Sequence, residues 1–317
     1  MEYTFKTIAE FNDYFRDERT CYEFLEKKLW DNGKPVCPHC GTAKQPKKVS
    51  ARGKFKDIPS YRCTETGCYL PFTVRTGTIF QGSKVELRKW LQASYELSIS
   101  KKGISSVELA QRIGVSQKTA WFINHRLREM LKEASPEILS GEVEIDESYF
   151  GGKEKNKHAN KRTKGTQGRS TQTKTPVIGI IERGGKVYTQ TIETTSAVEI
   201  HPIMLEKVET GSKIFTDEWK GYNGIGQLFH HEVVRHGEGE YVNGNAHTNN
   251  IENFWSTLKR GVIGTFHFVS PQHLQKYCNE FAHRFNTKEL TPVERFTENI
   301  KNCADKRLTY AQLTQRK

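Results

Sequence analysis

Gly141-Glu-Val-Glu-Ile-Asp146 alternates polar with apolar residues, Ser212-Lys-Ile-Phe-Thr-Asp217 centres on Ile214-Phe215, and each run reads as a short strand that ends on an aspartate. Period-two alternation marks a half-buried β-strand. A third acid, Glu252, opens the helical stretch Thr248-Asn-Asn-Ile-Glu-Asn-Phe-Trp-Ser-Thr-Leu-Lys-Arg260, with 34 residues separating it from Asp217. Two strand-borne aspartates and a helix-borne glutamate form an oxygen donor set suited to hard divalent cations such as Mg²⁺ or Mn²⁺. Two such ions about 3.5–4 Å apart clamp the attacking and leaving oxygens of an in-line phosphoryl displacement. On the helix, Ile251, Phe254, Trp255, Leu258 and Val262 form one apolar stripe. Lys259 lies seven residues beyond Glu252 and about 20° round from it, which places an ammonium near a bound phosphate.

Working outward, further strands are expected at Pro176-Val-Ile-Gly-Ile-Ile181 and Lys186-Val-Tyr-Thr-Gln-Thr-Ile192, joined by Gly184-Gly185. A helix follows over about 197–208, then the Asp217 strand, then His231-Glu-Val-Val-Arg235, and a long helix is expected over roughly 270–285. The order β-β-β-α-β-β-α puts Asp146 on the first strand, Asp217 on the fourth and Glu252 on the following helix. Between the first two strands, residues 153–175 carry 8 basic and 1 acidic side chains without periodicity, which reads as a mobile basic loop.

Upstream, Cys37-Pro-His-Cys40 and Cys63-Thr-Glu-Thr-Gly-Cys68 are two tight cysteine pairs separated by 22 residues. That spacing predicts one structural Zn²⁺ held by Cys37, Cys40, Cys63 and Cys68. The intervening basic residues, among them Lys47, Lys48 and Arg52, would project toward phosphate. Next, Ser106-Val-Glu-Leu-Ala110-Gln-Arg-Ile-Gly114-Val-Ser116-Gln-Lys-Thr fits a helix-turn-helix, with Gly114 in the turn and Ser116 capping the second helix. Its second helix is expected to present Gln117, Lys118, Asn124 and Arg126 to DNA.

Charge agrees with this division. The 317 residues carry a net +12. Residues 1–33 hold 5 basic and 8 acidic side chains, whereas 34–132 hold 19 and 6, so one segment holds the whole excess. A basic segment of this kind suits nucleic acid. No run approaches the 18 apolar residues of a membrane span, and the seven cysteines suit a reducing cytoplasm better than a disulfide scaffold. The chain is therefore read as a cytoplasmic, nucleoid-associated protein.

Several longer strings resemble one family. They are Trp30-Asp-Asn-Gly with the first cysteine pair, Arg75-Thr-Gly-Thr-Ile-Phe80, Glu144-Ile-Asp-Glu-Ser-Tyr-Phe-Gly-Gly152, Asp217-Glu-Trp-Lys-Gly-Tyr222, and His247-Thr-Asn-Asn-Ile-Glu-Asn-Phe-Trp-Ser256 through Lys259-Arg-Gly261. Over nearly the whole chain they resemble the DDE transposases of bacterial insertion sequences, specifically the ISXO2-like zinc-ribbon group related to the Merlin elements. The resemblance implies an α/β multidomain protein with a ribonuclease-H-like core that binds the element's terminal inverted repeats, cuts a strand and joins the 3′-hydroxyl to target DNA. It implies Asp146 and Asp217 as the first two catalytic carboxylates and a dimer or larger synaptic assembly. The family's third position varies, and both Asn249 and Glu252 stand there; helix phase with Lys259 and the gap from Asp217 favour Glu252. A DNA-binding regulator with an inactive core, or a cellular nuclease, is the alternative. The expected divisions are an N-terminal helical segment (1–33), zinc ribbon (34–80), helix-turn-helix region (81–135), catalytic domain (141–290) and C-terminal tail (291–317).

Overall fold

The computed structural model describes residues 5–50, 58–132, 137–152, 154–164, 166, 170–234 and 247–315. The chain divides into two compact units, residues 1–131 together with 289–317, and residues 132–288. The second unit is thus inserted between two pieces of the first.

In the first unit, α1 (Ile8–Tyr14) opens with a capping box of Thr7 and Glu10, and Asp17 caps α2 (Glu18–Leu29). A small antiparallel sheet follows, of β1 (Lys47–Val49), β2 (Ser60–Arg62) and β3 (Pro71–Phe72). Helix α3 (Leu87–Ile99) is buried over most of its surface. Ser105 caps α4 (Ser106–Ile113), which ends on Gly114 at φ 62°, a left-handed position that glycine takes without steric cost. Ser116 then caps α5 (Gln117–Met130) through the Thr119 N–H.

The second unit is built on a five-stranded sheet. Its strands are β4 (Glu142–Phe150), β5 (Thr175–Glu182), β6 (Val187–Thr191), β7 (Lys213–Asp217) and β8 (His230–Val234), in the spatial order β6-β5-β4-β7-β8. The β6-β5-β4 pairings are antiparallel and β4-β7-β8 parallel. Helix α6 (Ala197–Lys207) covers one face, packing Ile200, Ile203 and Met204 on Val143, Ile145, Ile178, Ile180 and Ile214. Helices α7 (Asn249–Gly261) and α8 (Pro271–Asn286) cover the other, where Ile251, Trp255 and Leu258 meet Phe150, Val177 and Ile181. Odd-numbered residues of β4 therefore face α6 and even-numbered residues face α7, as strand alternation requires. Close approach of α7 depends on Gly179, because a Cβ there would stand 2.5 Å from the Trp255 ring. Gly261 does the same against Phe281.

Three expectations change. Asp146 does not end its strand: β4 continues to Phe150, because Glu147–Phe150 keep pairing with β5 after the β7 pairing has stopped at Glu144. The segment read as a C-terminal tail contains α9 (Pro292–Lys301) and α10 (Tyr310–Thr314), and it buries Phe296, Ile300 and Cys303 in the first unit's core. Phe296 joins Phe5, Phe11, Phe15, Phe24 and Tyr95 in an aromatic cluster, stacking on Phe24 at 5.8 Å. The basic stretch expected to lack structure contains two short 3-10 turns, Glu154–Asn156 and Ala159–Lys161. Its one acid, Glu154, holds Lys157 at 2.5 Å and the Thr163 N–H at 2.9 Å.

Candidate metal and nucleic-acid sites

The β4–β7 edge brings the two aspartates together. Glu142 pairs with Lys213 and Glu144 with Phe215, an offset of 71 residues. The same offset carries Asp146 onto Asp217, just past the last paired residues. Residues matched across adjacent parallel strands point to one face, here the face that α7 covers. Where the pairing stops, the two strands border an open cleft of about 660 Å³, and Asp146, Asp217 and Glu252 all line it. Lys174, Lys259 and Arg260 line it as well, whereas Asn249 is not among its lining residues.

The acids repel one another. Asp146 is pushed up to about 7, first by burial and then by the charge of Asp217, with Glu252 adding to it. A cation in the cleft would relieve this strain, so the donor chemistry fits the divalent ions expected there. Asp217 Oδ1 accepts the Trp219 N–H at 3.0 Å, and Trp219 Nε1 is anchored on the Thr195 carbonyl at 2.8 Å. Glu252 Oε1 accepts from the Thr248 hydroxyl at 3.2 Å. Burial lowers the Lys259 ammonium pKa while the Asp146 charge raises it. Glu147, next to Asp146, is tied to the buried Tyr222 hydroxyl at 2.5 Å. Trp255 lies at the back of the cleft with only 3 % of its surface exposed, which makes it core rather than a free stacking platform.

The four cysteines form a different kind of site. Cys37 and Cys68 bring their sulfur atoms to 3.8 Å, and Cys40 and Cys63 to 3.7 Å. All four lie within 4.8 Å of one another. A tetrahedral zinc with bonds of about 2.3 Å needs sulfur separations of about 3.8 Å, so the cradle is already of zinc size. Among the described residues this is the one group of three or more Cys, His, Asp or Glu side chains converged at metal-ligating distance. The three carboxylates share a cleft without converging so tightly. His39, inside the first knuckle, turns its ring to the Pro71 carbonyl at 3.3 Å and is no part of the cradle.

The DNA-contact expectations divide. Gln117 and Lys118 are exposed at the start of α5, with Gln117 Nε2 on Ser106 Oγ at 2.8 Å and Lys118 Nζ 5.4 Å from the Tyr310 ring. Lys47 and Lys48 are exposed on β1, and Arg52 lies outside the described residues. Asn124 and Arg126 are corrections. Asn124 is buried and donates to the Ile104 carbonyl at 3.1 Å. Arg126 is 3 % exposed, donates to the Gln81 carbonyl and lies between the Trp90 and Phe122 rings. Burial, with the charges of Arg75 and Arg307 added, pulls its pKa down to about 10. From Ile123 to Arg128 every residue of α5 is buried, so only its first turns can meet a ligand.

Sequence reasoning missed Glu144 and Arg183. Glu144 is fully buried beneath α7, where Arg183 Nε donates to its Oε1 at 2.8 Å. No signal marked it, because Glu144 falls on the polar side of the alternation with Val143 and Ile145, and only the helix over that face reveals it as buried.

Comparison with known proteins agrees with this division. A family model described as the ISXO2-like transposase domain matches residues 138–286, and one described as the transposase zinc-ribbon domain matches 16–66. An uncharacterized protein in transposable element ISH50 of Halobacterium salinarum is 30% identical over 279 residues, covering 85% of this chain and 91% of the relative. An uncharacterized transposase-like protein of Haemophilus influenzae is 29% identical over 106 residues, 33% of this chain and 85% of the relative.

Proposed function

The chain belongs to the ISXO2-like transposases, and from that premise we propose that it binds the ends of its insertion sequence, cuts a DNA strand there and transfers the end to target DNA. The observation that carries this reading is the meeting of Asp146, Asp217 and Glu252 on one cleft rimmed by Lys174, Lys259 and Arg260. A carboxylate floor holds cations, and a basic rim holds the phosphodiester backbone that those cations act on.

The three acids would hold two Mg²⁺ or Mn²⁺ ions. When bound, such ions lower the pKa of an attacking water or 3′-hydroxyl and neutralise charge on the phosphate under attack. The protein's own part is placement. Strands β4 and β7 fix the two aspartates at matched height. Trp219 orients Asp217, and Lys259 and Arg260 hold the phosphate in line. The three-antiparallel, two-parallel sheet with helices on both faces supports a ribonuclease-H-like core.

End recognition falls to the first unit. The α4–turn–α5 segment, with Gly114 and Ser116 at its corner, supports a helix-turn-helix in which the first turn of α5 reads bases through Gln117 and Lys118. Lys47 and Lys48 on the zinc-bound ribbon, and the basic residues between β4 and β5, would contact phosphate. Joining two ends to one target calls for at least a dimer. A DNA protein with these thiol ligands works in a reducing cytoplasm, at the nucleoid.

Asp217→Asn tests the proposal on linear DNA that carries the sequence flanking the coding region. Mg²⁺-dependent strand cleavage should fall by at least about 10³-fold, since metal binding is lost at a transition-state contact, while gel-shift affinity for the end stays within about threefold. Substantial Mg²⁺-dependent cleavage by this variant would overturn the metal assignment.

A further inference from the structure

Glu144 stands two residues before Asp146 on β4, so both side chains point to the face that α7 covers. Its carboxylate is entirely buried and fully engaged. Oε2 accepts the backbone N–H groups of Asn250 at 2.9 Å and Ile251 at 3.1 Å. Oε1 accepts Asn250 Nδ2 at 2.7 Å and Arg183 Nε at 2.8 Å, and the His247 ring lies beside it, Nδ1 at 3.2 Å, without a hydrogen bond. Asn250 and Ile251 lie in the first turn of α7, whose own N-cap residue, Thr248, makes no side-chain cap. A residue of the sheet therefore caps this helix from outside it.

Arg183 widens the tie. Nη2 donates to the His247 carbonyl at 2.9 Å, Nη1 pairs with Glu142 at 3.1 Å, and the guanidinium lies 3.9 Å from the Phe215 ring centre on β7. Strands β4 and β7 and the start of α7 are thus joined at one buried charge pair. Capping alone would need only a serine or aspartate at residue 248, without a buried charge. A carboxylate reaching up from the sheet does something a local cap cannot, because it fixes the height of the helix over the strand. Asp146 lies two residues from the anchor on the strand, and Glu252 lies two residues from Asn250 on the helix.

We propose that Glu144, held by Arg183, is a positioning residue that sets the separation of Asp146 and Glu252 and so the site's affinity for divalent cations. The proposal rests on the metal-binding reading of the cleft. Its test is Mn²⁺ affinity of the full-length protein, measured by the electron paramagnetic resonance signal of free Mn²⁺, with melting temperature recorded alongside. Glu144→Gln should bind Mn²⁺ about 10–100-fold more weakly, the usual cost of losing a group that orients a ligand. Met204→Ala, on the opposite face of the sheet, should lower the melting temperature and leave Mn²⁺ affinity within about twofold, which separates positioning from general destabilisation. Should Glu144→Gln not fold, Asn250→Ala removes one exposed partner of the same carboxylate and should weaken Mn²⁺ binding by about threefold or more. A folded Glu144→Gln, or Asn250→Ala, with wild-type Mn²⁺ affinity overturns the positioning role alone. Failure of the wild type to bind Mn²⁺ overturns the metal reading itself, and this proposal with it.

Discussion

At the scale of the residue, the question left by the sequence is which side chain of α7 completes the acidic set. Glu252 lines the cleft and Asn249 does not, although the two are less than one turn apart. Glu252→Ala should therefore reduce Mg²⁺-dependent cleavage by at least about 10²-fold, the scale of losing a group that acts on the transition state, and Asn249→Ala by less than about tenfold. A severe Asn249→Ala with a mild Glu252→Ala, in the same end-cleavage assay, would exchange the two roles. The cysteine cluster was legible because its chemistry shows in type and spacing, and the three acids that the spacing singled out line one cleft. Asn124 and Arg126 were misread because α5 carries Trp121, Phe122, Ile123, Leu127 and Met130 round more than one face. Where a helix is buried on all sides, as α5 is from Ile123 to Arg128, periodicity no longer says which polar residue looks outward. Gly179 passed unread for another reason. In an apolar strand it looks like a gap, and only the Trp255 ring above it reveals a contact.

At the scale of the element, α6, α7 and α8 fall close to where their patterns put them, because each has an apolar stripe, and α8 also opens on Pro271. Strand β4 was cut short because Glu147 breaks the apolar alternation of Val143 and Ile145 and Ser148 follows it, so the pattern is lost just past the aspartate although pairing continues to Phe150. The ribbon was fully announced by its cysteines, yet its strands have only 3, 3 and 2 residues. Trp30, Tyr61 and Phe72 give it one small aromatic cluster, with ring centres 5.4–6.3 Å apart. A sheet this small is marginal without help, so metal binding should supply much of its folding energy. Metal analysis of the reduced protein should find about one zinc per chain. Cys63→Ser should lose it and lower the thermal stability of the end-binding activity. A protein that retains its ribbon after chelation, judged by hydrogen exchange of β1–β3, would remove zinc from the account.

At the scale of the whole molecule, the unexpected fact is that residues 289–317 belong with residues 1–131. Sequence could not announce it, because Phe296 and Ile300 sit on a short amphipathic helix whose partners are roughly 200 or more residues away in the chain. Burying one phenylalanine side chain stabilises a core by about 1.5–3 kcal/mol, and removing one costs about 3–5 kcal/mol once the cavity is counted. A chain ending at residue 288 should therefore lose most end binding at 37 °C while keeping Mn²⁺ affinity in residues 132–288. Undiminished gel-shift affinity in that truncation would show the segment to be dispensable. The same arrangement bears on synthesis. A ribosome releases residues 1–131 long before 289–317, so the first unit waits, with its aromatic cluster short of Phe296, until the inserted unit has been made. Prematurely terminated copies of the gene should then yield no stable fragment able to occupy the element's ends, and decayed copies in the same genome would not become competitive inhibitors of the intact one.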